Sequence, residues 1–411
     1  MPSLPNLLLL LALLCMALPA HAELQVQMPR YRLQPSELAV VINDEDPLSL
    51  RIADYYRERR GLDPQQFIHV RLNPERRQLP PKQFERIRRT VMDRLPPGTR
   101  ALALTWARPY RVGCMSITTA FAAGFDRAWC SKQRCAPTRR NPRYGGDLSA
   151  PGAAAILPTM AIAARDFDQA RALIDRGLAA EDRWPQGRAY LLVTSDKARN
   201  VRKVFFPAIR ERLAPLIDIK IIEADALHDV RDILFYFTGR AQVDGLDSLG
   251  FLPGAVADHL TSAGGQLTDS KQMSALRWLE AGATGSYGTV VEPCNLLGKF
   301  PHPGVVMARY LHGARLVEAY WDSVAMPGEG IFIGDPLASP FGGHRIEHTP
   351  EGPVLVTRAL TPGRYALFLA GSPIGPFRPI GTFGARLGQT RYPLPDVDGV
   401  LRLQPILEQP Q

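Results

Sequence analysis

Asp258, His259, Thr261, Ser262, Asp269 and Ser270 fall within the stretch ADHLTSAGGQLTDSKQ, residues 257–272, together with Gly264 and Gly265. A serine hydroxyl becomes a nucleophile when a base lies within hydrogen-bond reach and a third group orients that base. Ser262 is the candidate nucleophile here, His259 the candidate base, and Cys294 the alternative nucleophile. The backbone N–H groups of Gly264 and Gly265 could receive an anion. The competing reading is structural: Ser262 or Thr261 caps a turn and His259 fills a hydrogen-bond position in the core. Along an extended strand, His259 and Ser262 face opposite sides, so they converge only if the chain turns between them.

Arg240, Asp258 and Glu292 are candidate ligand-binding residues around the same stretch. An arginine there can hold a carboxylate through two parallel hydrogen bonds, or it can neutralise Asp258. Asp44, Glu45 and Asp46 are a second polar cluster. Clustered carboxylates suit a hard cation such as calcium, although Asp46 before Pro47 also reads as a helix N-cap with proline in the first turn. No other cofactor is indicated.

The chain has five cysteines, and Cys15 lies in the leader-like start. The remaining four, Cys114, Cys130, Cys135 and Cys294, are an even number in a chain that reads as exported, which favours two disulfides. Cys130 and Cys135 enclose only Ser-Lys-Gln-Arg, so a local Cys130–Cys135 bridge is easy to close and Cys114–Cys294 would follow. A metal site fits less well, because the spacing is not a C-x2-C pair and no histidine is near. A free Cys294 thiol is the other alternative.

Residues 1–22, MPSLPNLLLLLALLCMALPAHA, combine a leucine-rich run with an Ala-His-Ala ending, the pattern of a secretory signal cleaved before Glu23. The amino-terminal region has no Lys or Arg. No later segment has eighteen consecutive apolar residues, so no transmembrane segment is expected after cleavage. The expected location is the periplasm, the cell envelope or the exterior. The net charge of +9 is uneven: residues 51–144 hold 21 basic and seven acidic side chains, +14, leaving −5 elsewhere. A basic face of this kind could meet anionic envelope polymers. Nucleic acid is not an expected partner, since aromatic and basic residues do not interleave. The sequence does not indicate an oligomeric state.

The elements that must carry these residues alternate. Leu38–Ile42, Phe67–Leu72 and Ala101–Trp106 read as buried strands, separated by helical stretches ending at Arg60 and near residue 95. Residues 113–152 form a Gly- and Pro-rich insertion holding three cysteines, and a helix covers 166–180. A second cycle places strands at 189–193, 219–222, 233–237 and 283–291, with helices at 197–213, 271–281 and 304–325. Alternation of this kind implies parallel sheets with helices on both faces. From about Glu347, short strands between Pro and Gly turns indicate a small β-rich segment with a frayed end at 407–411. The expected organisation is a signal at 1–22, an α/β subdomain at 23–185, a second at 186–346 carrying the candidate site, and the β-rich segment at 347–411.

Two adjacent α/β subdomains followed by a small β segment resemble the catalytic region of gingipain-type cysteine peptidases, relatives of caspases. The residues that carry the resemblance are Ile331-Phe332-Ile333-Gly334-Asp335-Pro336 and the segment Ala170–Asp175, within a region of about 36–345. Those enzymes keep a His and a Cys at the ends of neighbouring strands, the thiolate attacking a peptide carbonyl. Here Arg240 stands at the His position, and the next strand runs into Asp258–Gly265 without a Cys. The stretches VINDEDPLS, ALALTWARPYRV, FYFTG, DHLTSAGGQLTDSKQMSALRWLEAGATGSYGTVVEPCN and AYWDSVAMPGEGIFIGDPLASPF also resemble a family of exported bacterial proteins found in genomes that carry exosortase. That resemblance implies an envelope setting and no particular reaction.

The reading that follows is an exported α/β protein with a peptidase-like fold, binding a peptide or envelope component at the strand ends without the usual dyad. Two alternatives remain open. One is a hydrolase, of peptidase type, using Cys294 or Ser262 with His259. The other is a structural factor that binds anionic polysaccharide through the basic face.

Overall fold

The computed structural model describes residues 24–133 and 135–406. The expected signal at 1–22 and the tail at 407–411 lie outside the described residues. No helix among the described residues is long and apolar enough to cross a membrane.

Ten strands form the main sheet: β1 (Leu38–Asn43), β2 (Phe67–Val70), β3 (Ala101–Leu104), β4 (Thr159–Ala161), β5 (Arg188–Val193), β6 (Asp218–Glu223), β7 (Ile233–Thr238), β8 (Phe251–His259), β9 (Gly285–Thr289) and β10 (Gly330–Gly334). Their spatial order is β6-β5-β7-β8-β9-β10-β4-β3-β1-β2. β1, β3, β7 and β10 are buried along their whole length, the burial expected of central strands in a parallel sheet covered on both faces.

The fold class is α/β, and one sheet runs through both expected α/β stretches, with β10 of 186–346 lying in parallel beside β4 of 23–185. β5 to β9 run parallel to one another. β10, β4, β3, β1 and β2 do likewise. The seam is the antiparallel pair β9–β10, with Gly285 opposite Gly334 and Thr289 opposite Gly330. The carboxyl ends of the two sets of strands therefore point to opposite edges of the sheet.

Local chemistry explains the helices that brace this sheet. Asp46 Oδ1 accepts from Leu48 N at 2.9 Å, Pro47 occupies the first turn, and Gly61 closes the helix Pro47–Arg60 at φ 60°. The helix Phe167–Ala180 is capped by Asp166 and buries Ala170, Leu173, Ile174, Gly177 and Ala180, one face at helical spacing. It packs against the helix Pro47–Arg60 and against β8, so it joins the two halves. Gly177 faces Asp335, and a Cβ there would collide with the Asp335 carboxylate. Asp335, just after β10, accepts from Tyr56 Oη at 2.8 Å and Leu337 N at 3.1 Å, and pairs with Arg60. Arg60 also meets Glu181 at 2.6 Å, and Glu181 meets Arg315 at 2.5 Å. The Gly-Asp-Pro segment is thus a buried tie between the halves.

Three expected helices are shorter than their sequence pattern: of 197–213, only Phe206–Leu213 is α-helical, after a 3-10 stretch at Asn200–Phe205. The stretch 304–325 divides into Pro303–Leu311 and Leu316–Ser323 at Gly313, whose φ of 86° no helix tolerates. Only Leu276–Glu280 of 271–281 is α-helical. The residues before it bond to other segments instead: Met273 N to Ala241 O at 2.8 Å and Ala275 N to Gly264 O at 2.8 Å.

The disulfides join Cys114 to Cys130 and Cys135 to Cys294, with Cα separations of 5.9 and 5.2 Å. This corrects the expected pairing Cys130–Cys135 and Cys114–Cys294. The strand pair Arg111–Val112 and Met115–Ser116 presents Cys114 on its turn. Cys130 is buried next to Trp129. Ser131 is then held by Glu329, which accepts from its N–H at 2.9 Å, and by Lys299, which donates to its hydroxyl at 2.6 Å. That anchor fixes Cys130 inward, while Cys135 lies exposed at the rim. Short spacing favours a bridge only when both sulfurs stay on one side of the chain.

The β-rich segment forms two small sheets. One places Gln25–Gln27 beside Val400–Pro405, then Gly363–Ala370 and Arg378–Ala385; the other contains His344–Thr349, Gly352–Thr357 and Arg391–Pro393. Gln25–Gln27 pairs in parallel with Val400–Arg402, so the first and last described strands are neighbours.

Candidate functional site

β8 delivers Asp258 and His259 to the carboxyl edge of the parallel set β5–β9. Both are buried, at 1 % and 2 % exposure. Successive strand residues face opposite sides, and these two enter different surroundings.

Asp258 is paired with Arg202, Oδ1 lying 2.5 Å from Nη1. Arg202, within the 3-10 turn Asn200–Phe205, also donates to Thr238 O at 2.7 Å and lies over the Phe237 ring. Burial pushes the Asp258 carboxyl up, and Arg202 opposes that shift. Asp258 is therefore a buried ion-pair partner, with Oδ2 left without a hydrogen-bond partner among the described residues.

His259 is closed at both nitrogens. Trp278 Nε1, which can only donate, donates to Nδ1 at 2.9 Å. That leaves the proton on Nε2, which donates to Met273 O at 3.1 Å. Burial drives the imidazole pKa down to about 3; the Met273 carbonyl bond opposes the shift, and Arg202 and Arg199 add to it. A base needs a free lone pair directed at the proton it takes, and here the Nδ1 lone pair belongs to Trp278. The expected catalytic role of His259 is corrected: it is a neutral core histidine.

Ser262, in the bend just beyond β8 and before the turn closed by Gln266 N and Ala263 O, lines a cleft of about 310 Å³ with Arg199, Thr261, Glu292, Asn295 and the Cys135–Cys294 bridge. Its hydroxyl has no hydrogen-bond partner among the described residues, and its carbonyl accepts from Thr289 Oγ1 at 3.1 Å. Cys294 has no thiol to offer while bonded to Cys135, which corrects its expected role as a nucleophile. Glu292 accepts from Cys294 N at 2.8 Å, bracing the turn at the cleft rim. The structure thus brings Ser262, Glu292 and Cys294 to one cleft and places His259 behind it.

Thr261 ties the cleft wall together. Its hydroxyl donates to Gln272 Oε1 at 2.7 Å and accepts from Arg199 Nε at 3.1 Å, and Gln272 Oε1 also accepts from Ala263 N at 2.9 Å. Arg199 in turn pairs with Asp196 at 3.0 Å. Asp269 is taken by Arg77 at 2.6 Å and by Tyr110 Oη at 3.0 Å. Burial, with Asp269 beside it, raises the Tyr110 phenol to about 12. Ser270 Oγ accepts from Gln272 N at 3.1 Å.

The glycine pair serves close packing. Gly265 N donates to Thr289 O at 2.9 Å, so that amide does not receive an anion as expected. A Cβ on Gly265 would lie 2.6 Å from Gly288 O, and a Cβ on Gly288 would strike Gly264 C and Gly265 N. Two backbones cross here at a distance that excludes side chains. Gly288→Ala should therefore lower stability by about 1–3 kcal/mol or more, as overpacking does. Urea unfolding checks this, and an unchanged midpoint would show that the crossing relaxes freely.

Arg240 pairs with Asp225 at 2.7 Å and donates to Ser195 Oγ at 3.2 Å. Its expected partner Asp258 is instead neutralised by Arg202. At the opposite edge of the sheet, Asp44, Glu45 and Asp46 do not converge as a calcium site would require. Asp44 bonds His69 Nδ1 at 2.6 Å, Glu45 lies 3.9 Å from Arg71, and Asp46 caps its helix. Among the described residues, no group of three or more His, Cys, Asp or Glu side chains is placed to hold a metal ion.

Arg199, Arg202, Gln272 and Trp278 escaped the sequence reading. The two arginines, three apart and following a strand, were a visible signal. Gln272 and Trp278 gave none, because their roles depend on how residues 260–275 fold back.

Comparison with protein-family models and with curated proteins finds no match. Solved structures do resemble the chain. The Arg-specific cysteine proteinase gingipain R aligns with a TM-score of 0.43 and 10% identity, covering 88% of this chain and 92% of that one. A complex of the pro- and mature domains of RgpB from Porphyromonas gingivalis aligns at 0.40 and 10%, covering 86% and 92%. A structure described as a protease aligns at 0.40 and 10%, covering 83% and 87%.

Proposed function

We propose that the protein is exported and binds a peptide or another envelope component in the cleft between Arg199, Ser262 and Glu292, without nucleophile–base catalysis. The observation that carries this reading is the closure of His259, whose two nitrogens serve Trp278 and Met273. With Cys294 bridged, Ser262 lacks a base and the cleft lacks a free thiol. The remaining groups offer recognition chemistry: a half-exposed guanidinium already steered by Thr261, an exposed carboxylate at Glu292, and the Ser262 hydroxyl. Opposed charges across a small cleft suit a peptide backbone with polar side chains better than a uniformly charged polymer. Two disulfides and the leader-like first 22 residues support export.

The test pairs reactivity with binding. Mature protein treated with a fluorophosphonate and with an epoxide peptide probe should remain unlabelled. A peptide array should yield ligands whose affinity falls at least about tenfold in Ser262→Trp, which fills the cleft. Labelling that disappears in His259→Ala would overturn the non-catalytic reading. Ligands that bind Ser262→Trp unchanged would overturn the cleft as the binding site.

A further inference from the structure

The two disulfides occupy unlike surroundings. Cys130 is 6 % exposed, packed beside Trp129 within the main core. Cys135 is exposed, Cys294 is half-buried, and both line the cleft. The backbone differs as well. Cys135 has φ 64° and Cys294 has φ 53°, so both half-cystines of this bridge sit in the left-handed region. Neither is a glycine, and an L-residue pays for that conformation at each end. Glu292, which accepts from Cys294 N, supports one of the two turns. Neither Cys114 nor Cys130 has a positive φ.

We infer that Cys135–Cys294 is a thiol-exchange site, the bridge that a small thiol or a dithiol reductant opens while Cys114–Cys130 stays closed. Two features act in one direction. Exposure lets a thiolate approach in line with the sulfur–sulfur bond, and release of the bridge lets two residues leave a disfavoured backbone conformation. The incoming thiolate bonds to Sγ of the exposed Cys135. The Sγ–Sγ bond breaks, and Cys294 leaves with the electron pair and takes a proton. A second thiol group of the reductant then displaces Cys135 as a thiol, and the reductant ends as a disulfide. Two protons and two electrons pass from reductant to protein. The product places a free Cys294 thiol in the cleft beside Ser262, where the bridged form has none. Exchange requires no ligand in the cleft other than the thiol itself, so it stands or falls apart from peptide binding.

Differential alkylation tests this on the folded mature chain. The protein is equilibrated at pH 7 with increasing dithiothreitol, trapped with iodoacetamide, then fully reduced, labelled with isotopic iodoacetamide and mapped by peptide mass. Far-UV circular dichroism on the same samples reports folding. Cys135 and Cys294 should be half-trapped at a reductant concentration at least about tenfold below that needed for Cys114 and Cys130, with the dichroism unchanged. Trapping of Cys114 and Cys130 first would overturn the inference. So would trapping of all four together, or trapping of Cys135 and Cys294 only as the dichroism is lost.

Discussion

Asp335→Ala should destabilise the protein by about 3–5 kcal/mol, the range for breaking a buried ion pair from one side. A typical domain holds only about 5–15 kcal/mol in total, so the variant should lose a substantial share of its stability margin. Asp335 is fully buried, and its removal would strand Arg60, itself only 3 % exposed at the side chain. It would also deprive Tyr56 Oη and Leu337 N of their acceptor. Asp335→Asn keeps an acceptor for both of those groups, and Arg60 retains Glu181, so its cost should be smaller, about 1–3 kcal/mol. Urea unfolding of the two variants checks the order. Equal midpoints for Asn and wild type would show that the charge is dispensable and that shape alone holds the halves together.

The second large effect is on acid stability. His259 is held neutral, with a pKa of about 3 against an ordinary value of 6.5. For a base depressed on folding, the unfolded chain binds the extra proton. Stability is thus fully present above about pH 6.5 and falls as the pH drops toward 3, by up to about 1.4 kcal/mol per pH unit. Asp322 works in the opposite sense between about pH 6 and 4, because burial raises its carboxyl to about 6 and the folded state then holds the proton more tightly. The measurable quantity is therefore a difference. Between pH 6 and 4, stability of wild type should fall more steeply than that of His259→Asn by close to one proton's worth of slope. Parallel slopes would mean that the imidazole already carries charge in the folded protein, and its reading as a core residue would fail.

Much of the fold was legible because periodicity reports burial. Leu38–Ile42 and Ile233–Phe237 are unbroken apolar runs and became central strands, while Asp46-Pro47 and Gly61 marked both ends of a helix that formed as expected. The seam was not legible. Nothing in Gly285–Thr289 or Gly330–Gly334 says that these strands run in opposite directions, because a central strand buries both faces whichever way its neighbour points. The candidate site was legible as a place and not as chemistry. Asp258, His259 and Ser262 do gather at a strand end. Their roles were set by Arg202, Trp278 and Met273, which lie 56, 19 and 14 residues from the groups they bind. A histidine next to an aspartate reads the same in sequence whether its ring meets solvent or an indole N–H. The cysteines followed the same rule: their number pointed to two bridges, and the anchoring of Ser131 by Lys299 and Glu329 decided the partners.

The parallel pairing of Gln25–Gln27 with Val400–Arg402 has a topological consequence. From Gln25, which lies beside Val400, to Pro405 is five strand residues, about 17 Å at 3.3 Å per residue. A joint of about six residues would span it. The described residues therefore nearly close a ring, and a circular permutant of residues 25–405 made across that gap would keep every strand pairing of the sheet it completes. New ends could open at the turn around Ile374, which is 95 % exposed. In such a ring the pairing of Gln25–Gln27 with Val400–Arg402, now among the most distant in sequence, would become local.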